Sequence, residues 1–260
     1  MTNEKLKIGI YELTGCAGDA LLILDCEKEL IDIFQAADIQ SFLMAKSDNI
    51  DGELDVALVE GSVTTEREIE ELRSIRKRSK IVVAIGICST LGGLQARFQD
   101  LEEWKENLKQ VYGNAEWEHV KAIPSKPIDA FIDVDYYLPG CPMSKEQFLN
   151  FFTRMLQGNP PEKSQNPVCM TCKFNENECL LKKGILCLGP LTADGCGSVC
   201  INHNLPCLGC WGPLDVANRT SEYYLLKEKG YQEEEIKKKM ANYSGVKISE
   251  FFEQIRKEKR

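Results

Sequence analysis

Over its first 158 residues the chain alternates short apolar runs with longer stretches in which apolar positions recur every three or four residues. The runs Lys7–Leu13, Ile39–Ala45, Asp55–Glu60, Ile81–Ile87 and Phe131–Leu138 have the length and composition of strands. Between them, Ala20–Ala36, the charge-rich Thr65–Arg78, Leu101–Val111 and Lys145–Leu156 read as helices. Alternation of this kind predicts an α/β fold, a doubly wound and mostly parallel sheet. The stretch Gly158–Pro167 is a linker by composition. Beyond it periodicity is lost until Glu222–Lys229, Glu233–Asn242 and Ser249–Lys259, which read as amphipathic helices. The expected organisation is therefore an α/β domain at 1–158, an irregular module at 159–215 and C-terminal helices at 216–260.

Composition narrows the function. No run of 18 apolar residues exists, so no membrane-spanning segment is expected. The apolar segment from Ile8 is too short for a signal-peptide core and no twin-arginine pair precedes it, so a cytoplasmic location is expected. Net charge is −8 with basic residues scattered among acids, which argues against nucleic acid as a partner. With two histidines, His119 and His203, a histidine-based hydrolase is nearly excluded.

The cysteines set the class. There are 12, and in a reducing compartment they are poor candidates for disulfides. Eight form two quartets, Cys169, Cys172, Cys179, Cys187 and then Cys196, Cys200, Cys207, Cys210, in a segment rich in Gly and Pro. Such a segment is not expected to build a core of its own, so bound metal should supply its folding energy. Zinc takes four cysteines per ion, and so does an iron–sulfur cluster, with more variable spacing. Spacing alone leaves both open.

The α/β region supplies a third constellation. Cys16, Cys88 and Cys141 each follow a predicted strand and lie beside a glycine. In an open α/β sheet such loops gather on the carboxyl edge, where ligands bind. Three converging thiols suggest a metal cluster, against the simpler reading of three unrelated buried cysteines. Asp19, three residues after Cys16, is the candidate fourth ligand, although a carboxylate is harder than thiolate. The alternatives are that Asp19 only starts the helix at Ala20, that Cys26 ligates instead, or that water fills the position. Setting Cys26 aside and counting Asp19 leaves three sets of four ligands.

Gly15-Cys-Ala-Gly-Asp19, Val59-Glu-Gly-Ser62, Gly86-Ile-Cys-Ser-Thr-Leu-Gly-Gly93, Pro139-Gly-Cys-Pro142, Cys187-Leu-Gly-Pro190 and Pro206-Cys-Leu-Gly-Cys210 together resemble small subunits of [NiFe]-hydrogenases. The resemblance covers about residues 6–215 and is strongest to sulfhydrogenase delta, F420-non-reducing and F420-reducing types. It also touches the cluster-bearing subunit of complex I, which shares the α/β domain but lacks the eight-cysteine module. The resemblance implies a flavodoxin-like domain, three [4Fe-4S] clusters and an electron-transfer role without a catalytic residue of its own. Position by position it implies Cys16, Cys88 and Cys141 for a proximal cluster, with Asp19 departing from the common thiol. It implies Cys196, Cys200, Cys207 and Cys210 for a medial cluster. For a distal cluster it implies Cys169, Cys172, Cys179 and Cys187, with Cys169 where other relatives carry a histidine and His203 at the surface. Glu60 is either an aid to proton movement and subunit docking or a plain strand-end residue. The implied partners are a nickel–iron large subunit and a flavin- or iron–sulfur-containing acceptor subunit linked to F420, heterodisulfide reductase, NAD(P) or polysulfide. The opposing class is a non-redox, zinc-binding α/β interaction module.

Overall fold

The computed structural model describes residues 5–98, 101–113, 122–162, 164–243, 251–253 and 255. His119 and most of the helix expected at Ser249–Lys259 lie outside them. The chain divides into two compact units, Met1–Gly92 with Asn114–Glu162, and Gly93–Gly113 with Lys163–Arg260. Among the described residues no helix is long and apolar enough to cross a membrane.

The first unit is built on β1 (Leu6–Glu12), β2 (Ala37–Phe42), β3 (Leu54–Glu60), β4 (Val63–Thr65), β5 (Ser79–Ile85), β6 (Ala122–Lys126) and β7 (Tyr136–Leu138). Five of these form one sheet in the order β2-β1-β3-β5-β7, every neighbouring pair parallel. Leaving out β4 and β6, which pair antiparallel with each other, this is the flavodoxin-like order 2-1-3-4-5. The sheet is apolar on both faces because alternate residues serve different layers. Ile8, Ile10, Val56, Leu58, Val83 and Ile85 pack on one side with α1 (Gly18–Leu24), α2 (Leu30–Ala36) and α6 (Lys145–Leu156). Ala57, Val59, Val82 and Ala84 pack on the other with Leu72 and Ile75 of α3 (Glu66–Arg78). A capping box, Thr65 with Glu68, fixes where α3 begins.

Two expected elements are corrected. Ala20–Ala36 is not one helix: it breaks after Leu24 and resumes at Leu30. On a continuous helix, ten residues at 100° each put Ile33 about 80° off the face of Ile23. The break lets Ile23, Cys26 and Ile33 all enter the same core. The strand expected at Phe131–Leu138 is formed only from Tyr136. Upstream, Asp135 Oδ2 accepts bonds from Val82 N–H (2.7 Å) and Arg76 Nη1 (2.6 Å), so a side chain occupies the backbone donor that a longer strand would pair with.

The second unit holds α5 (Leu101–Tyr112), α7 (Val168–Phe174), α8 (Val199–Asn202), α9 (Arg219–Glu228) and α10 (Glu233–Met240). The cysteine segment builds its apolar core jointly with the C-terminal elements and not on its own. Val168, Leu180, Leu181, Leu188, Leu191 and Ile201 pack with Tyr223, Leu226, Ile236, Met240, Phe251 and Phe252. The physical reason is that the amphipathic C-terminal helices bring the apolar faces that the Gly- and Pro-rich segment lacks.

Candidate functional site

Cys16, Cys88 and Cys141 all lie just past the carboxyl ends of parallel strands, β1, β5 and β7 respectively. Cys88 is not in a loop as expected. It sits in the first turn of α4 (Gly86–Leu91), which starts directly where β5 ends. The Cys16 and Cys141 residues are exposed and Cys88 is half-buried.

Asp19 ties these three segments together. It is buried inside the first turn of α1, and its Oδ1 accepts a 2.7 Å bond from the backbone N–H of Met143, two residues after Cys141. Its Oδ2 lies against Gly86, two residues before Cys88: a Cβ there would fall 1.8 Å from that oxygen. Gly86 has φ +76°, a left-handed conformation that glycine adopts without strain. The Ile87 N–H also donates to Gly140 O at 2.7 Å, joining the Cys88 and Cys141 segments directly. At Gly18 an added Cβ would sit 3.2 Å from Cys16 Sγ and 3.9 Å from Pro142 Cβ, so bare backbone there admits both neighbours. The side chain of Asp19 caps nothing in its own helix. The N-cap is Ala17, which makes no side-chain cap bond.

That capping is done from across the sheet by Glu60, which closes β3 at the switch point beside β1. It is buried, and it accepts bonds from the N–H groups of Ala20 (Oε2, 2.6 Å) and Asp19 (Oε1, 3.3 Å). Burial pushes the Asp19 carboxyl up to about 6, against the lowering effect of the Met143 N–H. Burial likewise pushes Glu60 up to about 7, opposed by the Ala20 N–H and assisted by the charge of Asp19. Cys26 is fully buried in the core between α1 and α2, its thiol donating to Leu22 O at 3.4 Å.

In the second unit the two quartets interlock. The backbone N–H of Cys207 donates to Cys187 Sγ at 3.3 Å, and Leu188 N–H donates back to Cys207 O at 3.1 Å. Cys169 Sγ and Cys187 Sγ lie 3.0 and 3.7 Å from where a Cβ on Gly189 would stand, so both crowd one bare stretch of backbone. Burial, together with the neighbouring thiols Cys187, Cys172, Cys179 and Cys207, pushes Cys169 up to about 12. Cys207 rises to about 11, mainly through burial, with Thr192 Oγ1 at 3.5 Å pulling the other way. Thiols so placed stay protonated at neutral pH until a cation arrives, and binding one releases their protons. Among the described residues no three His, Cys, Asp or Glu side chains close on a single metal ion. A four-iron cluster, whose ligands bind separate irons, does not require that they do. Sequence reasoning missed Met143, Gly189 and Thr192, which act through backbone or a hydroxyl and carry no motif of their own. His203 is exposed, as expected.

Comparison with known proteins decides the lineage. The family described as "NADH ubiquinone oxidoreductase, 20 Kd subunit" matches residues 16–155. The chain is 40% identical to sulfhydrogenase 2 subunit delta of Pyrococcus furiosus, over 92% of this chain and 99% of that relative. It belongs to the [NiFe]-hydrogenase small-subunit family. One component of the F420-non-reducing hydrogenase vhu of Methanocaldococcus jannaschii is 32% identical to this small subunit, over 83% and 84% of the two chains. In a crystal structure of NAD+-reducing [NiFe]-hydrogenase in its H2-reduced state, one chain superimposes on this small subunit with TM-score 0.53 and 28% identity. That match covers 61% of this chain and 95% of the other.

Proposed function

We propose that the chain is the electron-relay subunit of a cytoplasmic [NiFe]-hydrogenase, holding three [4Fe-4S] clusters between a nickel–iron large subunit and a further acceptor subunit. The observation that carries this reading is the tying of the Cys16, Cys88 and Cys141 segments by one buried carboxylate at the carboxyl edge of the sheet. A set of unrelated core cysteines needs no such clamp. Bound clusters would supply one-electron transfer, and the chain's own residues hold and insulate them.

Cys16, Cys88 and Cys141 are assigned to the proximal cluster. Asp19 would supply its fourth ligand, and the bond that its Oδ1 accepts from the Met143 N–H supports this by fixing the carboxylate's orientation beside the three cysteine segments. The exposure of Cys16 and Cys141 supports docking of the large subunit on this edge. Cys196, Cys200, Cys207 and Cys210 take the medial cluster, and Cys169, Cys172, Cys179 and Cys187 the distal one. The Cys207–Cys187 bond supports a short gap between these two. Glu60 is assigned to capping α1 and thereby setting Asp19, because both its oxygens are committed to backbone N–H groups.

Metal analysis of the anaerobically purified protein tests this. We expect about 12 iron with equivalent acid-labile sulfide per chain, from four ligands per four-iron cluster. Zinc without sulfide would support the interaction-module reading instead.

A further inference from the structure

Between the two cysteine quartets the chain makes a short 3-10 turn, Gly189–Leu191, and Thr192 closes it. Thr192 is 2% exposed, and its backbone is tied on both sides. Its N–H donates to Gly189 O at 3.4 Å, and its carbonyl accepts from the Val168 N–H at 2.9 Å, one residue before Cys169. The side chain is held as well. Thr192 Oγ1 donates to Leu188 O at 2.7 Å and accepts from the Cys207 thiol, with 3.5 Å between oxygen and sulfur. A Cβ on Gly209 would stand 3.8 Å from the same oxygen, so the hydroxyl faces the Pro206–Cys210 loop at two points. Leu188 and Cys207 are buried too, which keeps water from competing for these bonds.

A hydroxyl has one proton to give and two lone pairs to receive with. While Cys207 is a thiol, the sulfur supplies the proton of this bond and Thr192 gives its own to Leu188 O. Metal is bound by the thiolate, which has no proton to supply, so the bond persists only if its direction reverses. Leu188 O can release the hydroxyl, because it also accepts the Leu191 N–H at 3.0 Å and is not left unpaired. A sulfur carrying negative charge is the better acceptor of the two, charge-assisted bonds being roughly twice as strong as neutral ones. We infer that the Thr192 hydroxyl donates to the Cys207 sulfur once that sulfur holds iron, and thereby raises the reduction potential of the cluster bound by the second quartet. This rests on the three-cluster reading above and adds to it a tuning residue outside the ligand sets. Hydrogen bonds to cluster sulfurs are a control on reduction potential. The reduced cluster carries more negative charge and gains more from the donor than the oxidised one, so losing the hydroxyl lowers the potential.

The test uses Thr192→Val and Thr192→Ser in the intact hydrogenase, with iron content and a redox titration followed by electron paramagnetic resonance. Thr192→Val keeps the shape of the side chain and removes its hydroxyl, whereas Thr192→Ser keeps the hydroxyl and loses a methyl. We expect full iron in both variants. One cluster's midpoint potential should fall in Thr192→Val with the other clusters unmoved, and should stay at the wild-type value in Thr192→Ser. A wild-type midpoint in Thr192→Val at full iron would overturn the inference. So would an equal fall in Thr192→Ser, which would assign the shift to packing. Should Thr192→Val lose iron, Thr192→Ala removes the same hydroxyl without setting a methyl against Leu188 O and is read by the same two outcomes. Loss of iron in both would also overturn the inference, because the hydroxyl would then be only a structural prop. A wild-type protein lacking iron in this unit would instead strike at the cluster reading itself, which keeps the two failures apart.

Discussion

Gly86→Ala should cost the protein about four of its roughly 12 irons, those of the α/β unit, while the other two clusters stay in place. Two effects converge at this position. A non-glycine residue at φ +76° carries a left-handed penalty of about 1–2 kcal/mol. The larger effect is steric: the new Cβ would stand 1.8 Å from Asp19 Oδ2 and 2.6 Å from its Cγ. Asp19 cannot yield cheaply, because it is short, buried and bonded through Oδ1 to Met143. Either the carboxylate swings out, abandoning the Met143 N–H, or α4 moves and takes Cys88 with it. Both outcomes separate the thiols that the site needs. Asp19→Ala is the companion variant, since it removes the carboxylate without moving backbone. It should lose or convert the same cluster, whereas Asp19→Cys should keep it at a lower potential, thiolate being the stronger electron donor. Iron per chain and the resonance spectrum read all three. Twelve irons with an unaltered spectrum in Gly86→Ala would show that Asp19 and Gly86 do not hold the site.

Tyr223→Ala should destabilise the second unit by about 3–5 kcal/mol, as expected for removing a fully buried aromatic ring. Tyr223 is completely buried on α9. Its ring packs edge-on to Phe252 at 5.7 Å between centroids, and its hydroxyl donates to Glu233 Oε2 at 2.7 Å on α10. It therefore joins three separate C-terminal segments to the core that Leu188, Leu191 and Ile201 share. With urea dependences of about 1–3 kcal/mol per molar, the unfolding midpoint should fall by on the order of 2 M. Tyr223→Phe keeps the ring and loses one hydrogen bond, so it should cost only about 1 kcal/mol. Release of iron from the cysteine module during unfolding is the readout. An unchanged midpoint in Tyr223→Ala would mean that the helices do not support the module.

Strands and helices were legible wherever one periodicity ruled a segment, as in α3 and α6, whose apolar residues recur along one face. Legibility failed where a tertiary demand overrode local preference. Nothing in the helix-forming run Ala20–Ala36 signals a break, because the break answers to where Ile23 and Ile33 must point. Asp135 likewise ends a strand-like run by bonding a backbone group 53 residues away in sequence, invisible to any local window. The thiols were legible as types and spacings. The clamp that Asp19 makes was not, since Met143 contributes only a backbone N–H and the fit of Gly86 exists only in three dimensions. Glu60 was recognisable as a polar residue ending a strand. Its use as a helix cap depends on β1 and β3 being neighbours, which strand order alone decides.

Hydrogen turnover tests the relay claim most directly. The purified single chain, loaded with its iron, should neither take up nor evolve H2 with viologen dyes, and should gain that activity only when combined with a nickel-containing large subunit. In the combined protein, H2 should reduce three distinct clusters in this chain. Turnover of H2 by the single chain, or a combined enzyme whose H2-reduced spectrum shows no clusters from this chain, would contradict the account.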